Sequence, residues 1–414
     1  MKKLATPKYA LPMGFTLEEY IIEGVLGSGG FGITYLAKDR ELDAPVVLKE
    51  YFPLEFAVRE ADGFQVAPSP QGDERGVSGD LSYYQWGLER FLQEARVLAR
   101  VRHPHVVRVN RHFRAQGTGY IVMDYEAGST LDTLLAGGIL DEADVWHLLK
   151  DALSALQAVH GQGYLHRDIK PSNLYIRARD SSVMLIDFGS ARAALNKRTS
   201  GVTVLISRGY SPPEQYADGE SLLGPWTDLY ALGAVLYFCM LGEAPPDASG
   251  RLIDDRLAKP LRFLRQRYSQ ALVDAVERAM ALKPEVRFQS VDQWLQAIAQ
   301  ASVPDPGSTA EGPQSLKVRL DTQLGGRELP VSPPSSVAVT KMSGEDAQGP
   351  IQWDTSMLLR AELLLERYVG TAAQEQMRAA LREAKSADDF FYLLSQGIDD
   401  ARQRLTFIEA LTQG

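Results

Sequence analysis

The stretch HRDIKPSN, at positions 166–173, constrains the fold of this 414-residue chain more than any other segment. It gathers charged and polar side chains, and the proline within it keeps the stretch out of a helix interior. Two apolar runs follow, LYI at 174–176 and VMLI at 183–186, with the polar residues RARDSS between them. Such runs around a polar turn predict a β-hairpin. Because the residues at the open end of an antiparallel hairpin lie side by side, Asn173 and Asp187 are expected to meet.

The side chains expected at this open end suit phosphoryl chemistry. The amide oxygen of Asn173 beside the carboxylate of Asp187 would form the kind of hard-oxygen site that Mg²⁺ prefers. Asp168, on the same loop, offers a carboxylate that can orient a hydroxyl, and Lys170 offers a positive charge for a transferring phosphoryl group. A solvated polar turn explains any one of these residues alone, but it does not explain their joint spacing.

HRDIKPSN and the DFG at 187–189 resemble the catalytic loop and the metal-binding turn of eukaryotic-type (Hanks-type) protein kinases. The resemblance runs over most of residues 20–295. It implies an α+β, bilobal protein-kinase fold over residues 14–300, with a β-rich N-lobe and a helical C-lobe. The lysine two residues after Asp168 is similar to that of Ser/Thr kinases, and the stretch GGFGITYLAKD is most similar to bacterial members.

The segment GVLGSGGFGITYLAK, at 24–38, is the predicted phosphate-binding loop. A lone G-x-G-x-x-G is weak evidence, because dinucleotide-binding folds share it. In those folds the loop opens a helix, whereas residues 33–36 here favour a strand. A strand–turn–strand hairpin lets backbone amides close over phosphates. The resemblance therefore assigns ATP binding to Gly27, Ser28, Gly29, Gly30, Phe31 and Gly32.

An ion pair is expected behind this loop. PVVLKEYFP, at 45–53, resembles the strand that carries the family's ATP lysine, which makes Lys49 the partner of the α- and β-phosphates. The amphipathic segment 88–107 predicts a helix and carries Glu94 where the family has the acidic partner of that lysine. An insertion at about 57–82 departs from compact kinases, and the sequence does not indicate its role.

The segment YIVMDYEAGSTL, at 120–131, resembles the last N-lobe strand and the hinge. The resemblance implies that Met123 lies at the back of the adenine pocket and that backbone groups from Asp124 to Glu126 bond the adenine edge. Three side chains around the adenine depart from the family's pattern, and we expect them to narrow or tilt the pocket. They are Thr34, Val47 and Tyr175.

Downstream, ISRGYSPPEQY at 206–216 resembles the substrate-binding loop and the A-P-E element. The resemblance implies that Ser207 contacts the catalytic Asp and Lys, and that Glu214 forms an ion pair with Arg287. It also implies that Asp228 anchors the backbone of the catalytic loop. These elements favour a protein kinase, because small-molecule kinases generally lack the A-P-E element and its arginine.

A regulatory site is expected between these motifs. Arg167 directly precedes Asp168, which resembles kinases that activation-loop phosphorylation controls. The polar segment 196–204 offers hydroxyl groups, and a phosphate on one of them could pair with Arg167 and order the loop. The sequence therefore predicts autophosphorylation at Thr199, Ser200 or Thr203.

Composition and charge narrow the partners. The net charge of −9 disfavours binding to a nucleic-acid backbone. The single cysteine, Cys239, excludes an internal disulfide and is expected to be buried. The run around it, 229–241, is too short to span a bilayer, and no signal peptide or integral membrane segment is expected. The sequence therefore predicts a cytoplasmic protein.

The C-terminal third has a different composition. Residues 301–350 are rich in Pro, Gly and Ser, which predicts a flexible linker with few contacts to the preceding domain. Residues 351–414 predict a small all-α module, which is a candidate docking site for a partner.

The expected activity is phosphorylation of Ser/Thr hydroxyls on protein substrates in bacterial signalling, with ATP and Mg²⁺, or Mn²⁺ in its place. Two alternatives stay open: a pseudokinase scaffold, and an adaptor that acts through the C-terminal helical module.

Overall fold

The structure is a computed structural model that describes part of the chain. It covers residues 7, 9–74, 81–136, 138–188, 207–216, 222–300 and 314–324, with residues 365, 380, 393–395 and 398 nearer the C-terminus. These residues form a sheet-rich lobe followed by a helical lobe. The predicted bilobal α+β fold is thereby confirmed.

The first lobe is built on a six-stranded antiparallel sheet with a separate hairpin and two helices. Its elements in chain order are β1 (Thr16–Leu17), β2 (Tyr20–Gly29), β3 (Gly32–Asp39), β4 (Ala44–Tyr51), β5 (Ala57–Arg59), β6 (Val66–Pro68), α1 (Pro70–Asp73), α2 (Tyr83–Leu98), β7 (Val109–Ala115) and β8 (Thr118–Asp124). The main sheet has the strand order β1-β2-β3-β4-β8-β7, and β5 pairs with β6 alone.

The main sheet is covered on the face that points away from the second lobe. Alternation along β3 and β4 places Tyr35 and Glu50 on this face, both with no exposed surface, and Thr34 and Lys49 on the opposite face. The N-terminal segment lies over the covered face, where the backbone N–H of Leu11 donates to the Tyr35 hydroxyl at 3.0 Å. The hairpin β5–β6, which belongs to the insertion near residue 57, packs into the same core and helps to cover this face.

Helix α2 differs in its bounds from the amphipathic helix expected over 88–107. It begins at Tyr83, because Ser82 and Gln85 form a capping box that satisfies the first backbone N–H groups. It ends at Leu98, and the residues that follow form turns and a loop. The hydrophobic pattern predicted the helix correctly, but it did not reveal that the helix begins five residues upstream.

The second lobe is mostly helical and contains a small three-stranded sheet of order β11-β10-β9. Its elements are β9 (Gly128–Thr130), α3 (Leu131–Leu134), α4 (Glu142–His160), β10 (Leu174–Arg177), β11 (Val183–Leu185), α5 (Pro225–Leu241), α6 (Ala248–Arg251), α7 (Ala258–Leu264), α8 (Gln270–Ala279), α9 (Val291–Gln300) and α10 (Gln314–Leu324). Single 3-10 turns occur at Pro171–Asn173, Pro213–Gln215 and Pro284–Val286.

Helix α5 forms the centre of this lobe and is buried on nearly every side. Its Cys239 has no exposed surface, which confirms the expected burial, and burial raises the pKa of the thiol. No helix in the described ranges is both long enough and apolar enough to cross a membrane.

The segment after residue 300 differs from the expected linker over eleven residues. Residues 314–324 form α10, which packs against β9, α3 and α4 of the second lobe. The reason is local, since two leucines four residues apart give this stretch an apolar side despite its Pro/Gly/Ser-rich flanks. Of residues 351–414 the structure describes six, of which Leu365 and Leu394 are fully buried, and the all-α module stays a prediction.

Candidate active site

The expected hairpin is present and brings the two metal-binding candidates together. Strands β10 and β11 pair antiparallel with Leu174 opposite Leu185, and the backbone N–H of Ile186 donates to the Asn173 carbonyl at 3.0 Å. The side-chain amide of Asn173 donates to the Asp187 carbonyl at 3.1 Å. The predicted meeting of these two residues is therefore confirmed.

Asp168 lies at the centre of the site and is nearly buried. One carboxylate oxygen, Oδ1, accepts a hydrogen bond from the Ser207 hydroxyl at 2.8 Å. The other, Oδ2, lies 3.0 Å from the ammonium of Lys170 and 3.0 Å from the amide nitrogen of Asn173. This carboxylate is thus held by a cation, an amide and a hydroxyl that all come from segments predicted to bear the chemistry.

The loop that carries Asp168 is anchored from below by Asp228 on α5. The carboxylate of Asp228 accepts from the backbone N–H groups of His166 and Arg167, each at 2.8 Å, and lies 2.8 Å from the His160 ring. Burial works against its charge, but His160, His166 and the loop N–H hold the pKa of Asp228 below its usual value. Arg167 has a φ of 65°, a conformation that costs about 1–3 kcal/mol in a residue other than glycine, and these bonds offset that strain.

Lys49 points from β4 into the cleft and pairs with Asp187, whose Oδ1 lies 2.9 Å from its ammonium. Burial disfavours the charged lysine, but the carboxylates of Asp187 and Glu94 more than offset this and raise the pKa of Lys49. Glu94 lies on α2 and is 2% exposed. The structure therefore brings together the three charges that the sequence placed on separate elements.

The glycine loop is the hairpin between β2 and β3, with Gly29 opposite Gly32 and two residues, Gly30 and Phe31, at the turn. The predicted strand–turn–strand arrangement is confirmed. A side-chain carbon on Gly32 would lie 2.4 Å from the Glu50 carbonyl, so this position excludes every larger residue. A side-chain carbon on Gly27 or Gly29 would have no described atom within 4 Å, so there is open space beside the loop.

Three of the residues expected around the adenine, Thr34, Val47 and Met123, share the face of the main sheet that carries Lys49. Val47 pairs with Met123 across β4 and β8, Thr34 pairs with Lys49 across β3 and β4, and Asp124 ends β8 at the hinge. Met123 is 6% exposed, as expected for a residue at the back of a pocket.

One contact of the hinge was not foreseen. The hydroxyl of Tyr175, on β10, donates to the backbone carbonyl of Glu126 at 3.0 Å and ties the second lobe to the hinge. Burial raises the pKa of this hydroxyl, so it remains a donor. Gly128 makes room for the ring, because a side-chain carbon there would lie 2.7 Å from Tyr175 Cε1. The sequence offered one signal, an aromatic residue where the family has an aliphatic one.

The DFG phenylalanine also contributes a contact beyond the predicted set. Phe188 is 5% exposed and stacks on His166, with ring centroids 4.2 Å apart. The His166 ring in turn lies 3.2 Å from the Ile186 carbonyl. Burial lowers the pKa of His166, which favours the neutral ring. The stack fixes the segment that carries Asp187.

The substrate-loop residues are placed beside this cluster. Glu214 and Arg287 form a two-pronged ion pair, with N–O distances of 2.7 and 3.0 Å, and both side chains are buried. Ser207 contacts Asp168 as described above. The candidate phosphorylation sites lie outside the described residues, so their prediction stands as made; they are Thr199, Ser200 and Thr203.

The donor set at the open end of the hairpin fits a hard divalent cation. The amide nitrogen of Asn173 donates to Asp168 and to the Asp187 carbonyl, which leaves the amide oxygen as a ligand beside the Asp187 carboxylate. In the described ranges no group of three or more His, Cys, Asp or Glu side chains forms a metal site. The asparagine and aspartate oxygens would therefore have to be completed by phosphate oxygens or water, as is usual for Mg²⁺.

Comparison with known proteins places these features in a family context. The family model for the protein kinase domain matches residues 79–295, just over half of the chain. The Ser/Thr-protein kinase PknH of Mycobacterium tuberculosis is 33% identical over 60% of this chain and 40% of its own length. Ser/Thr-protein kinase F of Synechocystis is 29% identical over 77% of this chain and 63% of its own length. The chain thus spans about half the length of such relatives.

A solved structure has a fold similar to that of this chain. The structure titled "PpkA-294 apo form" superposes with a TM-score of 0.63 at 36% identity, and the match covers 70% of this chain and 99% of that one. The similarity therefore accounts for nearly the whole of that solved chain and for 70% of this one.

Proposed function

Because this chain belongs to the protein kinase family, within its bacterial Hanks-type Ser/Thr branch, we propose that it transfers the γ-phosphoryl group of ATP to Ser and Thr hydroxyls of proteins in bacterial signalling. Members of the family use ATP and a divalent metal. One observation carries the proposal: Lys49, Asp168, Asn173 and Asp187 converge on one cleft below the glycine loop.

Asn173 and Asp187 are proposed to hold Mg²⁺, with Mn²⁺ as the alternative ion. Bound there, the cation neutralises charge on the phosphate oxygens. Lys49 is held against Asp187 at 2.9 Å, so it is positioned to bond the α- and β-phosphates at the edge of the metal site. The open space beside Gly27 and Gly29 allows the loop backbone to approach those phosphates.

Asp168 is proposed to orient the acceptor hydroxyl and to take its proton. As the acceptor oxygen bonds to the γ-phosphorus, the bond from that phosphorus to the ADP oxygen breaks, and the proton passes to the carboxylate. Lys170, whose ammonium lies 3.0 Å from Asp168, is positioned to place a positive charge near the transferring phosphoryl group. The Ser207 hydroxyl now bonded to Asp168 Oδ1 shows that this oxygen can accept from an alcohol.

The test is phosphate transfer from radiolabelled ATP with Mg²⁺ to myelin basic protein, followed by identification of the labelled amino acid. We expect label on Ser and Thr, and a loss of about 10²–10⁴-fold in rate for Asp168→Asn, because a positioned base supplies that much. Asp43→Asn is the matched control, since Asp43 is exposed and its φ of 52° suits asparagine. Equal rates for both variants would refute the assignment of Asp168.

A pseudokinase scaffold predicts no phosphate transfer by the wild-type chain, so the same experiment separates it from the proposal. No comparison favours that alternative. A cytoplasmic location and partner docking through residues 351–414 stay predictions of the sequence.

A further inference from the structure

Helix α10, which follows the catalytic domain, is seated on the second lobe by one apolar side. Leu316 and Leu320 lie four residues apart on that side and have 0% and 1% of their surface exposed. Val318, between them in sequence, is 63% exposed. Burial of each leucine side chain stabilises the docked state by about 1.5–3 kcal/mol.

The lobe offers polar groups to the first turn and to the middle of the helix. Asp144, on α4 and 1% exposed, accepts a hydrogen bond from the backbone N–H of Leu316 at 3.2 Å. A carboxylate near the first turn of a helix also complements the helix dipole. Arg319 donates to the carbonyls of Ile139 and Leu134 at 3.0 and 3.4 Å. The helix therefore caps carbonyl groups at and beyond the end of α3.

The shape of the lobe matches the helix at Gly138. A side-chain carbon at this position would lie 2.4 Å from Nη1 of Arg319. The absence of a side chain on Gly138 thus leaves room for the guanidinium to reach the carbonyls on either side of it. Apolar contact, charge and shape agree at three separate points, which is expected of a specific docking site.

The docking site lies next to the hinge. Helix α10 contacts β9, which begins two residues after Glu126. Strand β9 pairs with β10 through Thr130 and Tyr175, and Tyr175 bonds the hinge carbonyl of Glu126. The helix therefore contacts the strand that directly follows the proposed nucleotide-binding hinge.

We propose that α10 is an intramolecular strap that couples the chain beyond residue 300 to the nucleotide site by holding β9 and α3 in place. The inference rests on the proposed function only in assuming that the cleft binds ATP. If docking favours the nucleotide-competent hinge, nucleotide must favour docking by the same factor, because coupling between two binding equilibria is reciprocal. The strap makes residues 314–324 part of the catalytic unit.

The experiment uses the full chain with Leu316→Asp and Leu320→Asp combined, and Val318→Asp as the matched control on the exposed side of the same helix. Docking is measured by the rate of trypsin cleavage after Lys317 and Arg319. Coupling is measured by calorimetric titration with the non-hydrolysable analogue AMP-PNP and Mg²⁺, which does not depend on turnover.

We expect cleavage in the double variant to rise about tenfold or more, because two buried leucines are lost. Nucleotide affinity should fall about fivefold, at the lower end of typical coupling between sites. Val318→Asp should match the wild type in both measurements, and AMP-PNP should slow cleavage of the wild type. If the double variant does not fold, Arg319→Gln, with cleavage followed after Lys317, replaces it in both measurements.

Equal cleavage of the double variant and the control would overturn docking. Faster cleavage with nucleotide affinity unchanged within about twofold would overturn the coupling. If the wild type binds no nucleotide, the proposed function and the coupling fail together, whereas the cleavage rates still decide whether the helix docks.

Discussion

Each lobe contains a buried glutamate–arginine pair, and the two pairs are alike in geometry. In the helical lobe, Arg287 meets both oxygens of Glu214 at 2.7 and 3.0 Å. In the sheet lobe, Arg59 meets both oxygens of Glu50 at 2.9 and 2.7 Å. The first pair was expected from the kinase resemblance, whereas the second joins the sheet to an insertion whose role the sequence did not indicate.

The pairs differ in what else satisfies the carboxylate. Glu214 accepts one further hydrogen bond, from the Thr227 hydroxyl at 3.1 Å. Glu50 accepts two, from the hydroxyls of Tyr35 and Tyr120 at 2.7 and 2.6 Å. Since removal of one partner of a buried pair leaves an uncompensated charge, the number of remaining donors sets the damage.

The pairs also differ in what they tie together. Arg287 donates to backbone carbonyls of the surrounding core, namely those of Ala281, Leu282 and, at 3.4 Å, Trp226. Arg59 donates to the carbonyls of Tyr9 and Phe64, so it fastens the N-terminal segment and the insertion onto the sheet. The same type of buried glutamate–arginine pair thus stabilises the core expected of the kinase fold in the helical lobe. In the sheet lobe it holds an insertion that is particular to this chain.

The largest effect is expected from Arg287→Ala. It leaves Glu214 buried with one donor and leaves core carbonyls without their donor, so unfolding free energy should fall by about 3–5 kcal/mol. Chemical denaturation of the purified variant measures this. A loss smaller than that of the corresponding change at Arg59 would reverse the ranking of the two pairs.

Arg59→Ala should cost less, about 3 kcal/mol, because two tyrosine hydroxyls remain on Glu50. The insertion should also loosen, which proteolysis between residues 57 and 68 would detect. Arg59→Lys is the control, since it keeps the charge but loses the planar fork that bonds both oxygens. Should Arg59→Ala denature like the wild type, the hairpin would not be held by this pair.

The part of the active site that the sequence predicted is the part built from short-range motifs. The kinase fold and family are confirmed, and Asn173 and Asp187 meet as the hairpin spacing required. The partners of Glu50 could not be predicted in the same way, because Tyr120 lies 70 positions away and Arg59 sits on a three-residue strand. One signal was present: an acidic residue directly after Lys49 must point to the opposite face of the sheet.

The docked helix α10 was missed for a different reason. Composition averaged over residues 301–350 predicts a linker, and it hides an eleven-residue helix whose Leu316 and Leu320 are buried. The bounds of α2 were misjudged because the hydrophobic pattern was followed without the capping box at Ser82. Four residues whose roles the kinase resemblance implied meet in one cleft, and they are Lys49, Asp168, Asn173 and Asp187.

Tyr35→Phe and Tyr120→Phe sharpen the comparison by removing single donors from Glu50. Burial and the charge of Glu50 raise the pKa of both hydroxyls, so both donate throughout the accessible pH range. Each variant should lose about 1.5–3 kcal/mol, the usual contribution of a hydrogen bond to a charged group. The combination of either with Arg59→Ala should cost more than the sum, because Glu50 is then left with one donor. Simple additivity in denaturation would show that the four groups do not act as a unit.

Tyr175→Phe is expected to have the smallest effect. It removes a tyrosine hydroxyl that donates to a neutral backbone carbonyl, whereas those of Tyr35 and Tyr120 donate to a carboxylate. Tyr175 donates to the Glu126 carbonyl at 3.0 Å in a partly buried setting, so its loss should cost only about 0.5–1.5 kcal/mol. Because this bond joins β10 to the hinge, part of that cost should appear as weaker AMP-PNP binding, of about two- to tenfold. Tyr175→Leu is the companion variant, since it removes the ring as well and reopens the floor of the pocket. If Tyr175→Phe lowers neither the free energy of unfolding nor the affinity for AMP-PNP, the hydroxyl does not hold the hinge. The contrast with the tyrosine hydroxyls that donate to the charged Glu50 would then be larger than expected.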